Sequence, residues 1–142
     1  MENKAVYEGL MNAAKKARGF SYCPYSHFSV GAALLCGDGT VYTGCNIENG
    51  AFSPTCCAER TAVFKAVSEG KREFCAIAVC GGKESVNTTA LCAPCGVCRQ
   101  VLSEFCDADS FDVVLEDKSE KLIVKKLSHY LPDSFGLSFD ER

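Results

Sequence analysis

The sequence has no apolar run long enough to cross a bilayer, and its longest, around Phe28 to Leu35, is interrupted by Gly31. Its first residues, Met1-Glu2-Asn3-Lys4, lack the basic stretch and apolar core of a secretory signal. Both absences predict a cytoplasmic protein with no membrane role. Positive charge is not in excess either: the net charge is -3 and the isoelectric point about 5.4. A dense cationic stripe of the kind that grips nucleic acid is hard to build from this composition, so no nucleic-acid partner is expected and a small-molecule substrate is favoured. No internal repeat, low-complexity tract or linker divides the chain. Its 142 residues suit one domain spanning 1–142, and 47% hydrophobic against 23% charged residues excludes a disordered chain.

Cysteine is what the sequence has in abundance. Eleven are present, and without a sign of secretion they read as buried small hydrophobes or metal ligands rather than a disulfide framework. Cys36, Cys75 and Cys80 lie in apolar, strand-like runs and are assigned to the core. The two histidines, His27 and His129, belong to no ligand-spaced cluster and read as surface or hydrogen-bonded groups.

Hydrophobic spacing organises the rest. Val6, Leu10, Ala13 and Ala17 predict an amphipathic helix over 4–18, ended by Gly19. Strands at 28–35 and 40–43 flank Gly37-Asp38-Gly39, a hairpin turn in which glycine supplies positive φ. Ser53-Pro54 reads as the start of a helix running to Glu69, and Ala93-Pro94 as the start of another ending near Phe105. Further strands are expected at 74–80, 111–115 and 121–124, with a short helical turn at 127–131. This alternation predicts an α/β fold, a three-layer α/β/α sandwich around a mixed five-stranded sheet with one βαβ crossover.

Two clusters carry chemistry: Cys57-Ala58-Glu59 and Pro94-Cys95-Gly96-Val97-Cys98. A Cys-x-x-Cys pair opening a helix puts both sulfurs on one face, within reach of one ion. Zinc takes thiolates in tetrahedral sets of four, and three protein ligands leave the open position of a catalytic ion. Cys57 is the third candidate. Positive helix ends favour thiolates. Glu59 stands close enough in the first turn to share the pocket, where a carboxylate beside metal-bound water can take a proton and return it. The pattern of Cys, a Glu that binds no metal, and Pro-Cys-x-x-Cys is the zinc-deaminase signature.

The chain resembles the homotetrameric cytidine deaminases, through Cys57-Ala58-Glu59-Arg60, Pro94-Cys95-Gly96-Val97-Cys98-Arg99-Gln100 and the upstream Asn46-Ile47-Glu48-Asn49. The resemblance implies a zinc-dependent hydrolase of pyrimidine salvage, acting on cytidine and deoxycytidine with release of ammonia. It implies Zn²⁺ held by Cys57, Cys95 and Cys98, with Glu59 as proton shuttle. Asn46 and Glu48 would bind the ribose hydroxyls, Phe28 would stack on the pyrimidine, and Gly50, Ala51 and Ala58 would complete the pocket. Phe135 would reach a neighbouring subunit's base, and the apolar tail Ser134-Phe135-Gly136-Leu137-Ser138-Phe139 would be covered at an interface. Arg60 is assigned to the ligand sulfurs, because three thiolates on Zn²⁺ leave a negative site whose charge must be drawn off. The chain departs from the family at Phe52, where many relatives carry tyrosine, and at Gly50, where alanine is common.

Bland readings compete. Cys92 with Cys57, Cys95 and Cys98 would make a closed structural site with no enzyme activity. Cys56 is one residue off the Cys-x-Glu spacing and reads as buried. Apart from the resemblance, Phe28 and Phe135 read as core, Asn46 and Glu48 as loop residues, and Arg99 and Gln100 as a solvated helix face. A blasticidin-type cytosine-nucleoside deaminase is the enzymatic alternative. A noncatalytic zinc module that binds a protein partner stands outside enzymology altogether.

Overall fold

The structure, a computed structural model, describes residues 3–86 and 91–137. Helix α1 covers Lys4–Arg18 and buries Tyr7, Leu10, Met11, Ala14 and Ala17. The apolar stripe is rotated from the predicted one, since Val6 is exposed. Tyr7 explains the shift: its hydroxyl donates to Asp112 Oδ2 across the domain, so that side of the helix faces the sheet. Lys15, Lys16 and Arg18 crowd the last turn, where the helix dipole favours cations.

Strands β1 (Phe28–Cys36) and β2 (Val41–Cys45) form the expected hairpin. Gly39 takes φ +87°, and Asp38 Oδ1 accepts the Thr40 amide at 3.0 Å to close the turn. Helix α2 (Ala58–Ser68), strand β3 (Phe74–Lys83), helix α3 (Gly96–Phe105), strands β4 (Asp112–Glu116) and β5 (Leu122–Lys126) and the short α4 (Leu127–Tyr130) follow. The sheet order is β2-β1-β3-β4-β5. Among the strands of the described residues only β3 and β4 run parallel, and the chain between them passes through α3, as a βαβ unit requires.

Side chains alternate across the sheet. Ala33, Ala76, Ala78, Cys80 and Val114 face α1, whereas Ala32, Leu34, Ile77, Val79, Val113 and Leu115 pack with α2, α3 and α4. Three layers result, as expected. Cys36 and Cys80 are buried, but Cys75 is exposed. The pairing jumps from Leu35–Ala76 to Cys36–Phe74, so Cys75 is the unpaired residue of a bulge rather than a core position.

Both helix starts assigned to proline are corrected. Helix α2 begins at Ala58 with Cys57 as N-cap, and α3 at Gly96 with Cys95 as N-cap. Residues 52–56 are held in turn and bridge structure instead: the Thr55 amide donates to Phe52 O, and Cys56 pairs with Ile47. Phe52, at φ +61°, turns the chain before the helix can begin.

Two glycines let helices lie on the sheet. A Cβ on Gly31 would overlap Ala14 O of α1 and lie 2.6 Å from Arg18 N, and one on Gly44 would overlap Ala58 O and lie 2.6 Å from Ala62 N. Backbone cannot yield as a side chain can. Gly44→Ala is therefore expected to cost about 2 kcal/mol or more and, by lifting the first turn of α2, to lower zinc content. Urea unfolding and metal analysis check both effects.

Candidate active site

Two helix starts converge. Cys57 (φ -70°, ψ 158°) and Cys95 (φ -68°, ψ 167°) have the extended N-cap backbone, and neither spends its side chain on capping. Their sulfurs lie 3.7 Å apart. Cys98 is the third helical residue of α3, and N-cap and third-residue side chains meet naturally, as in a capping box. Cys95 Sγ and Cys98 Sγ are 3.4 Å apart. Helix α2 repeats the device with another chemistry: Arg60, its third residue, donates from Nη2 to Cys57 Sγ at 3.4 Å and to Thr55 O at 3.2 Å.

The three sulfurs all lie within 4.8 Å of one another. Tetrahedral zinc with sulfur at about 2.3 Å needs sulfurs about 3.8 Å apart, so the cluster fits that ion. Exposure is graded, with Cys98 buried, Cys57 half-buried and Cys95 exposed, which leaves one side open to a substrate. Cys92 stands outside the group. Its sulfur lies 2.7 Å from where a Gly81 Cβ would be, beside Phe28, and burial pushes its thiol up to about 12. A closed four-cysteine site is not what these positions form.

Electrostatics favours an anion at Cys57. Hydrogen bonding from Cys98, then from Arg60 and Cys95, holds its thiol well below the ordinary value, while Cys98 is pushed up because it keeps the shared proton. A bound cation would displace that proton. Arg60 Nε is buried without a hydrogen-bond partner among the described residues, and the guanidinium is held charged chiefly by Cys57. Glu59, in the same turn, is only 3% exposed. Burial raises its carboxyl above the usual range, and the nearby Cys57 adds to the shift.

A second group forms the rim. Residues 46–48 run between two bridges, Tyr22–Ile47 and Ile47–Cys56, which bring them next to Cys57. Asn46 is buried; its Nδ2 donates to Phe28 O at 2.8 Å, and its Oδ1 accepts the Val30 amide at 2.9 Å. Among the described residues its second amide hydrogen meets no acceptor, which leaves it for a ligand. Glu48 Oε1 accepts the amides of Tyr25 and Ser26 at 2.9 and 3.1 Å, and Ser26 chiefly holds its carboxyl below the usual range. Phe28 opens β1, 41% exposed. Gly50 leaves room for Tyr25, whose hydroxyl would lie 2.9 Å from an added Cβ, and Phe52 meets the Tyr25 ring edge-on at 5.7 Å. Ala58 is fully buried at the start of α2.

Phe135 is 71% exposed, carried by a segment whose backbone oxygen accepts Gln100 Nε2 at 3.0 Å. The tail's Ser138 and Phe139 lie outside the described residues. Arg99 is not a solvated residue: it donates to Pro94 O at 2.7 Å and Tyr130 O at 2.8 Å and lies over the Tyr130 ring. Sequence reasoning missed this clamp because its acceptors are distant backbone carbonyls, which leave no mark in spacing. It also missed Tyr25, whose signal was the Pro24-Tyr25-Ser26 turn.

This geometry has relatives. Residues 4–113 match the family model of the cytidine and deoxycytidylate deaminase zinc-binding region. A cytidine deaminase of Sporosarcina psychrophila is 50% identical over 129 residues, covering 91% of this chain and 90% of that one. One of Halalkalibacterium halodurans is 47% identical, covering 89% and 91%. Among solved structures, the cytidine deaminase of Burkholderia pseudomallei superposes with a TM-score of 0.81 at 45% identity, over 90% of this chain and 98% of that one. With its sequence matching over most of its length and its fold superposing on a solved member, the chain belongs to the cytidine and deoxycytidylate deaminase family.

Proposed function

We propose that the chain, as one deaminase domain over 1–142, hydrolyses cytidine and deoxycytidine to uridine and deoxyuridine and releases ammonia, in cytoplasmic pyrimidine salvage. The observation that carries this reading is the set of three thiols within 4.8 Å of one another with the buried Glu59 in the same helical turn as Cys57. Cys57, Cys95 and Cys98 would hold zinc, which when bound supplies the Lewis acidity that activates water. Glu59 moves the protons. Its raised affinity for a proton suits a group that must take one proton from water and hand it to N3 of the base, then take that water's second proton and deliver it to the departing amine. Shielded from bulk solvent, it exchanges protons with the reacting groups in the pocket rather than with the surrounding water.

The rim orients the nucleoside. Asn46 and Glu48 keep one amide hydrogen and one carboxylate oxygen respectively for the ribose hydroxyls, Phe28 stacks on the base, and the backbone near Gly50, Ala51 and Ala58 lines the pocket. Phe135, exposed on its own subunit, reaches a neighbour's base in a homotetramer. Support for assembly comes from a 440 Å³ groove lined by Ala13, Ala17, Phe20, Cys45 and Ile47 among others, an apolar surface that a partner would cover. Among the described residues no helix is long and apolar enough to cross a membrane.

The test is loss of cytidine absorbance and release of ammonia, with and without a chelator. Turnover that a chelator abolishes and zinc restores is expected; absence of ammonia from a zinc-loaded chain would favour a noncatalytic module. Competition by blasticidin-type compounds separates the related substrate class.

Arg60→Gln removes the charged donor to Cys57. The sulfurs are left more negative and the ion becomes a weaker acid, so activity should fall about 10- to 100-fold, and the acidic limb of the pH–rate profile should move upward. A profile unchanged at full zinc occupancy would remove Arg60 from this role.

A further inference from the structure

Glu84 lies just beyond β3, in neither the metal cluster nor the rim, yet it holds both ends of the loop that shapes the rim. Cys23 Sγ donates to Glu84 Oε1 at 3.0 Å, His27 Nδ1 lies 3.5 Å from Glu84 Oε2, and the Glu84 amide donates to His27 O at 3.0 Å. The Cys23 thiol is 1% exposed. Burial and the adjoining carboxylate push it up to about 12, so it remains a donor. The His27 amide in turn donates to Cys23 O at 2.9 Å, closing the loop on itself.

This loop is not relaxed. His27 sits at φ +56°, a left-handed conformation uncommon outside glycine that persists where surroundings enforce it. Glu84 supplies two of those constraints at His27 alone, through its amide and its carboxylate. Two things depend on the loop's shape. The amides of Tyr25 and Ser26 point together at Glu48 Oε1, and Phe28 leaves the strained residue directly into β1, its amide donating to Ser26 Oγ at 3.0 Å.

We propose that Glu84 is a positioning residue for nucleoside binding, which fixes the Cys23–His27 loop so that its amides hold Glu48 in the orientation that reads the ribose. It touches no reacting atom. Its effect therefore falls on substrate affinity rather than on the chemical step. The inference rests on the ribose role of Glu48 proposed above.

The test is a double-mutant cycle on the zinc-loaded enzyme with cytidine as substrate, with amide exchange of residues 22–28 measured in parallel. Half of the Glu84 side chain is in solvent, so Glu84→Ala should fold. It is expected to raise KM about tenfold with kcat within about twofold of the parent, the signature of lost ground-state binding, and to speed exchange at Tyr25 and Ser26. Glu84→Gln, which keeps an acceptor for Cys23, should restore most of the KM. In a Glu48→Ala background, Glu84→Ala should add little. An unchanged KM or unchanged exchange in Glu84→Ala, an equal fall in kcat, or additive effects in the double mutant would each overturn the proposal. Glu48→Ala alone separates the two readings. An unchanged KM there sinks the ribose role itself, and the route by which Glu84 acts goes with it. A raised KM without coupling to Glu84 sinks only the present inference.

Discussion

Glu59→Gln is expected to lower turnover of cytidine by about 10³-fold, the middle of the range for removing a general acid–base, while zinc content stays that of the parent. Glutamine keeps the size and an acceptor oxygen but cannot cycle a proton. The position is only 3% exposed, so solvent cannot readily replace the lost group. Because burial opposes charge at this carboxyl, the neutral amide should also pack without loss of stability. Metal analysis and steady-state kinetics on one preparation decide the matter. Retention of more than about a tenth of the parent turnover, far above what loss of a proton shuttle permits, would contradict its role.

The second large effect is on the metal. Serine at Cys57, Cys95 or Cys98 should each strip zinc to well below the parent's content and abolish activity, because a hydroxyl is not deprotonated near neutral pH and makes a poor replacement for thiolate. Serine at Cys92 should keep both. Cys98, buried and hydrogen-bonded at the start of α3, should show the deepest loss. Zinc binds the folded chain in preference to the unfolded one, so chelation should also lower the melting temperature, and added zinc should restore it. Loss of zinc from Cys92→Ser would revive a closed four-cysteine site and remove the vacant position that the chemistry needs.

Much of this was legible in the chain, for identifiable reasons. The hairpin at Gly37-Asp38-Gly39 and the apolar runs that form β3 and β4 are local patterns, visible in the residues themselves. Cys95-x-x-Cys98 declared its geometry because N-cap and third-residue side chains are neighbours in any helix. Prolines misled at the same two helices. Pro54 and Pro94 are compatible with a first helical turn, but Phe52 at positive φ and the Ile47–Cys56 bridge hold the chain away from helix until Cys57. The correction strengthens the site, since the thiols themselves occupy the caps. The rotated stripe of α1 and the exposure of Cys75 escaped for a related reason. Which helical face meets a sheet, and where a ladder slips by one residue, are settled by the partner.

The sequence by itself determined the ligand types, their spacing within each helix and the carboxylate beside them, because covalent spacing and helical pitch fix those relations at short range. Only the tertiary structure decided that the two helix starts face one another, that Cys92 falls outside the cluster, that Arg99 holds the C-terminal segment, and that Glu84 fastens the loop behind Glu48. Those relations cross the sheet or join distant segments. They depend on close approach at Gly31 and Gly44 and on the strand register, quantities that arise from packing and have no counterpart in the spacing of residues along the chain.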